Sequence, residues 1–244
     1  ADSIFTYNKQ AGVLIQAGHD IVVCANHFEE NLDALVCRDS FNLCMTGNNI
    51  DDHLDRGIVI ENTYGSVVSG NMIEECNGTA IVLDRDCYGI TLSANVIAHD
   101  MGGGIDLRDA HGCSVSANTF TLVHHFGLRI GPASGRIAVS GNSFCNSYIG
   151  GGSVRRKLED PNPVQLDIGH GVLVEGATHV TISGNTFTGL DGPALRATGE
   201  AKQILFAGNV VTDVQRRAAE KTVDPHAVEV EATAHVTVGE NLID

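Results

Sequence analysis

The chain has 244 residues, with 28 glycines, 5 prolines and no tryptophan, and carries 30 acidic against 15 basic side chains. A formal charge of -15 repels a phosphate backbone, which excludes nucleic acid as the expected partner. No apolar run reaches the roughly 20 residues that cross a bilayer, and no signal-peptide pattern is present.

Gly-rich composition with small β-branched residues suits many short strands in a single domain. The seven cysteines, at 24, 37, 44, 76, 87, 113 and 145, form no C-x-x-C pair and no zinc spacing with histidine. Cys37 and Cys113 stand where neighbouring segments carry Ile, Leu or Val, and so read as small buried hydrophobes.

In chain order, an asparagine recurs at 26, 48, 71, 95, 118, 142, 185, 209 and 241. Most intervals are 22 to 24 residues, and the longer gaps from 142 to 185 and from 209 to 241 read as a repeat plus an insertion. Each repeat opens on a small residue, namely Gly12, Ala34, Gly57, Ala80, Gly104, Gly127, Gly171, Ala194 and Ala227. Positions +1 and +3 from it are apolar throughout, from Val13/Ile15 and Ile105/Leu107 to Val228/Val230, and should point inward.

A second alternating pair lies five and three residues before the asparagine, as in Ile21/Val23 and Cys113/Val115, and only the repeat of Asn71 breaks it, with Ser66. A third inward residue follows the asparagine by two, as in Phe28, Phe120 and Phe187. Three short strands per repeat predict a parallel β-helix of about nine coils, because no coil can bury its face alone. The asparagine is expected in a left-handed conformation at a corner, with its amide bonded to the asparagine of the next coil.

Coils of the form Gly-Ile-x-Leu…Val-x-Ala-Asn-x-Phe across essentially the whole chain resemble the right-handed parallel β-helix of the pectate-lyase-like superfamily. That resemblance implies polysaccharide lyases, polygalacturonase-like hydrolases, alginate epimerases or phage tailspikes as functional relatives, and a secreted, periplasmic or cell-surface location. No amphipathic segment covers the first coil and the chain stops on its ninth, so the ends are expected to be covered by more chain, by a capping partner domain or by a homo-oligomer.

The outward positions +2 and +4 of the first strands turn charged in mid-stack, where Glu61, Asp84, Asp106, Arg108 and Arg129 form a mixed patch, with Arg38 one coil before Glu61. Asp84 and Asp106 lie one coil and two residues apart, about 8 Å between Cα atoms, a spacing that suits the acid and base of an inverting glycosidase. Arg108 or Arg129 can instead neutralise a uronate carboxylate in lyase or epimerase chemistry. His99, His124 and His125 fall in turns entering the same coils, with His125 placed as acid or base.

Gly169-His170-Gly171 matches the Gly-His-Gly element of polygalacturonases, whereas their Asn-Thr-Asp is replaced by Met101-Gly102-Gly103 before Gly104-Ile105-Asp106 and their paired aspartates by His125-Phe126. Asp224-Pro225-His226 matches an alginate-epimerase motif but precedes its strand by three residues. Two insertions, near 146–169 and 212–225, carry basic residues including Arg155 and Arg156, suited to an anionic glycan. No cofactor is required by this reading, although Asp51 and Asp52 with Glu74 and Glu75 offer oxygen ligands for calcium.

The expected function is glycosidic cleavage of an extended, acidic polysaccharide by hydrolysis or β-elimination. The expected catalytic set is Asp84, Asp106, Arg108, Arg129 and His125. Substrate binding is expected from Arg38, Glu61, His99, His124, His170, Arg155 and Arg156. A non-catalytic glycan-binding or structural module is the alternative.

Overall fold

The structure, a computed structural model, describes residues 1–145, 169–215 and 227–244. It is an all-β, right-handed parallel solenoid of about eight full turns, close to the nine coils expected, and every strand pairing is parallel. First strands stack from Ala11–Gln16 through Thr79–Asp84, Gly103–Leu107, His125–Ile130 and Gly169–Glu175 to Val228–Val230. Second strands stack from His19–Cys24 to Val236–Val238, and ten third strands run from Ile4–Thr6 to Leu242–Ile243. None of the described residues forms a helix, so none offers a helix long and apolar enough to cross a membrane.

The predicted inward columns are the core, except in the coil of Asn241, where Val230, Val238 and Ile243 are exposed. Ile81, Leu83, Ile105, Leu107, Leu128 and Ile130 are fully buried in the first strands, as are Leu92, Val115 and Val139 in the second. Third-strand phenylalanines stack face to face, Phe120 on Phe144 at 4.5 Å and Phe144 on Phe187 at 4.7 Å between ring centroids. In these coils the rings explain the small residue that opens the first strand. A Cβ on Gly104 would lie 2.9 Å from the Phe120 ring, and one on Gly171 would lie 2.8 Å from that of Phe187. Ser66, the break in the second column, is buried because its hydroxyl accepts the Leu43 N–H at 3.0 Å and donates to the Tyr64 carbonyl at 3.0 Å. Cys37 and Cys113 are buried as expected.

The corner asparagines form a continuous ladder. Asn118 Nδ2 donates to Asn142 Oδ1 at 3.0 Å, and Asn95 Nδ2 donates to Asn118 Oδ1 at 3.0 Å. For the asparagines from 26 to 209 the left-handed residue, however, is the one before the asparagine and not the asparagine itself: Ala25, Gly47, Gly70, Ala94, Ala117, Gly141, Gly184 and Gly208 all have positive φ. A left-handed residue makes the turn, and the asparagine that follows returns to ordinary φ with its amide directed into the stack. Glycine takes that conformation at no steric cost, and at Ala25, Ala94 and Ala117 the paired coil holds it against the cost of the Cβ.

A second, shorter polar column follows the third strands. Asn8, Asn31, His53, Cys76 and Asp100 occupy successive coils, with the Asn31 N–H on His53 Nδ1 at 3.1 Å and the Cys76 N–H on Asp100 Oδ1 at 3.1 Å. Asp100 is fully buried, and desolvation drives its carboxyl well above the usual carboxylate range. A raised folded pKa gives stability that is complete below the unfolded value of 3.8 and is lost as pH rises through the folded value. Asp100→Asn is therefore expected to flatten the decline of stability with rising pH. Denaturant midpoints measured from acid to alkaline pH check this, and parallel curves for the two proteins would refute it.

Candidate functional site

The charged columns of the first strands are held in strict register. Val82 pairs with Asp106, Asp106 with Arg129, Arg129 with Leu173, Leu173 with Arg196 and Arg196 with Glu229. Beside it run Arg38, Glu61 and Asp84, in register with one another. Parallel strands put side chains of equivalent positions about 4.8 Å apart, so opposite charges on successive coils must meet.

They meet as two chains of ion pairs, one centred on Glu61 and one running from Asp84 through Arg108, Asp106 and Arg129 to Glu175. Arg38 Nε lies 2.7 Å from Glu61, and Arg85 lies 3.3 Å from the same carboxylate. Arg108 reaches Asp106 at 2.8 Å and Asp84 at 3.6 Å, so one guanidinium is shared between the two carboxylates proposed as an acid and base pair. Arg129 then bridges Asp106 at 3.5 Å and Glu175 at 2.7 Å. The bond to Glu175 is the main reason its guanidinium pKa is raised. Asp106 is 2% exposed, and its Oδ1 finds no hydrogen-bond partner among the described residues.

Beyond Arg129 the face opens into a cleft of about 120 Å³ lined by His170, Leu173, Glu175, Arg196 and Thr198. The His170 ring packs over Gly192, whose bare Cα makes room for it: a Cβ there would coincide with the imidazole. Burial, and next the positive Arg196, push the His170 pKa below its ordinary 6.5 and keep the ring neutral. Its Nδ1 has no partner among the described residues.

The remaining expected site residues divide. His125 is exposed on the strand that pairs with Gly169–Glu175, with Gly169 as its register partner, and so borders the His170 end of the face. His124 stands edge-on to His125 at 6.3 Å. His99 is drawn elsewhere: its Nδ1 lies 3.2 Å from Glu74 on the corner that follows the third strands. Arg155, Arg156 and the Asp224-Pro225-His226 stretch lie outside the described residues. Glu175 and Arg196 were not in the expected set. Their signal is present in the sequence as the same outward +4 and +2 positions, but the insertion places Glu175 46 residues from Arg129.

A parallel β-solenoid whose first strands carry a charged, clefted face defines a class of proteins in which the stack is scaffold and that face is the site. The chain belongs to the right handed beta helix region family, which matches residues 85–244, and residues 1–160 match the family described as periplasmic copper-binding protein (NosD). No curated protein matches in sequence.

Among solved structures, a double mutant of the periplasmic alginate epimerase AlgG aligns at 13% identity and TM-score 0.75, over 91% of this chain and 50% of that one. The A-module of the Azotobacter vinelandii mannuronan C-5 epimerase AlgE4 aligns at 10% identity and TM-score 0.67, over 98% and 76%. An alginate lyase from a Paenibacillus species aligns at 12% and 0.54, over 99% and 76%. The chain thus spans half the length of AlgG. At these identities the likeness is one of fold.

Proposed function

We propose that the chain acts on an extended acidic polysaccharide laid along the first-strand face, cleaving it by β-elimination in the cleft at His170. The observation that carries this reading is a neutral imidazole with a buried, unpartnered Nδ1 beside Arg196 and the Arg129–Glu175 pair. In that reaction His170 takes the proton α to a uronate carboxylate, whose developing charge Arg129 and Arg196 neutralise. The electron pair forms the ring double bond, and the C–O bond to the leaving sugar breaks. The departing oxygen takes a proton, for which His125 at the rim is the nearest candidate.

Hydrolysis by Asp84 and Asp106 is the weaker form of the proposal, because Arg108 occupies the space between them that a water and a sugar would need. The alginate-directed names of the structural neighbours support a uronate-rich glycan, and the periplasmic descriptions of NosD and AlgG support a location outside the cytoplasm.

Incubation with acidic and neutral polysaccharides, followed for unsaturated uronates and for new reducing ends, tests the reading. Unsaturated products from an acidic glycan are expected. Reducing ends without unsaturation would return the assignment to hydrolysis. Binding with no product of either kind, and no epimerised residues by NMR, would make this a non-catalytic glycan-binding module.

Copper is the metal that the NosD description brings to this chain. The sulfur donors do not fit it: Cys37, Cys76, Cys87 and Cys113 are buried, and burial raises their thiol pKa values, that of Cys87 to about 12. Copper(I) selects soft sulfur donors, and no thiolate takes part in a converging donor set among the described residues. The donor sets that do converge there are carboxylate and imidazole. No catalytic step above depends on a metal.

A further inference from the structure

We infer that Glu74, Glu75 and His99 form a binding site for a divalent transition ion, zinc or copper(II), separate from the first-strand face. Their ligand atoms all lie within 4.8 Å of one another, and His99 Nδ1 is 3.2 Å from Glu74 Oε1. The His99 side chain is 15% and that of Glu74 30% exposed, recessed yet open to an ion from solvent.

The backbone presents these groups rigidly. Glu75 and His99 hold the same left-handed corner position on successive coils, with φ of 55° and 56°. Each corner is tied to the coil beyond it, the Glu75 N–H to the Ala98 carbonyl at 3.1 Å and the His99 N–H to the Thr121 carbonyl at 3.2 Å. A trio fixed on paired backbone in this way arrives at the ion already ordered.

The surroundings are anionic. Glu29, Asp51 and Glu74 are in register on three successive coils, each followed by a second acid, Glu30, Asp52 and Glu75. The only ion-pair partners of these six carboxylates among the described residues are His27 and His99. Six carboxylates thus crowd one corner with two imidazoles to balance them, an excess of negative charge that a bound cation would relieve.

The identity of the ion follows from the nitrogen. One imidazole with two carboxylates suits zinc or copper(II), whereas calcium takes oxygen alone. A calcium site through Asp51, Asp52, Glu74 and Glu75 would leave His99 without a part.

Titration calorimetry of the chain with Zn²⁺, Cu²⁺ and Ca²⁺, with electron paramagnetic resonance of the chain loaded with one equivalent of Cu²⁺, tests the site. Wild type should bind Zn²⁺ and Cu²⁺ in preference to Ca²⁺. His99→Gln and Glu75→Gln should each weaken that binding by more than about tenfold, since even outer partners of a ligand cost this much. His99→Gln should also remove the nitrogen splitting from the Cu²⁺ spectrum.

His111→Gln, in the second converging group of Asp86, Asp109 and His111, should change neither. Calcium binding that His99→Gln leaves intact would overturn the inference, as would a nitrogen signal lost in His111→Gln but kept in His99→Gln. Unchanged melting of the metal-free variants separates lost ligation from lost folding.

Discussion

Asn118→Ala is expected to destabilise the solenoid by about 3–6 kcal/mol, because several buried polar groups lose partners at once and each costs about 1–3 kcal/mol. Asn118 Oδ1 accepts both the backbone N–H and the Nδ2 of Asn95, each at 3.0 Å, while Asn118 Nδ2 donates to the Leu92 carbonyl at 3.0 Å and to Asn142 at 3.0 Å. Asn118 is 1% exposed, so water cannot replace what alanine removes. Alanine also leaves the backbone conformation unaltered, because the left-handed turn belongs to Ala117. The neighbouring exposed Thr119→Ala should cost less than about 1 kcal/mol, the span of strand propensity.

The end of the ladder supplies an internal control. Asn241 accepts from Asn209 and donates to the Phe206 carbonyl but has no further asparagine beyond it among the described residues. It is also less buried. Loss there should be smaller than at Asn118, since a solenoid's stability is nearly a sum of neighbour terms. Urea denaturation of the three variants reads the difference directly. Equal midpoint shifts for Asn118→Ala and Thr119→Ala would refute a structural role for the ladder.

The ladder also marks where sequence reading works and where it stops. Alternation of period two within a period of about 23 residues dictates which side chains face inward, and every inward column follows from it. Spacing identifies Asn118 as a corner residue, but it does not distinguish which of Ala117 and Asn118 turns the chain. That is decided by the direction of the amide, a three-dimensional matter.

The charged face follows the same division. Asp106 and Arg129 are legible because the four coils before them carry Leu or Val at the same outward position, whereas pairing geometry is not. Only the folded coil shows Arg108 shared between Asp84 and Asp106, or Arg129 reaching across an insertion to Glu175. His99 illustrates the opposite error. Nearness in sequence to Asp106 suggested a common site, yet coil geometry sets it against Glu74, 25 residues earlier.

His170→Ala should lower turnover of the acidic glycan by about 10²–10⁴-fold, the contribution of a positioned general base. His170 sits where the Arg129–Glu175 pair ends and Arg196 begins, so removing it leaves the carboxylate-binding cations in place. Substrate affinity should consequently change much less than turnover, a split that a purely structural role would not produce.

The sign of the pH dependence follows from its environment. Burial and Arg196 lower the His170 pKa, so the neutral, proton-accepting ring gains over the charged one as pH rises and is already the majority form at the ordinary imidazole value of 6.5. The acid limb of the rate profile should therefore lie below pH 6.5 in wild type. Arg196→Gln removes a nearby positive charge and should move that limb to higher pH.

Gly192→Ala makes a separate test of position. Its added methyl would occupy the imidazole's place and displace the ring without altering its chemistry. Turnover should fall towards that of His170→Ala while the coil itself stays folded. A Gly192→Ala or His170→Ala protein with wild-type turnover would remove His170 from the reaction. An acid limb unmoved by Arg196→Gln would instead detach the limb from this histidine.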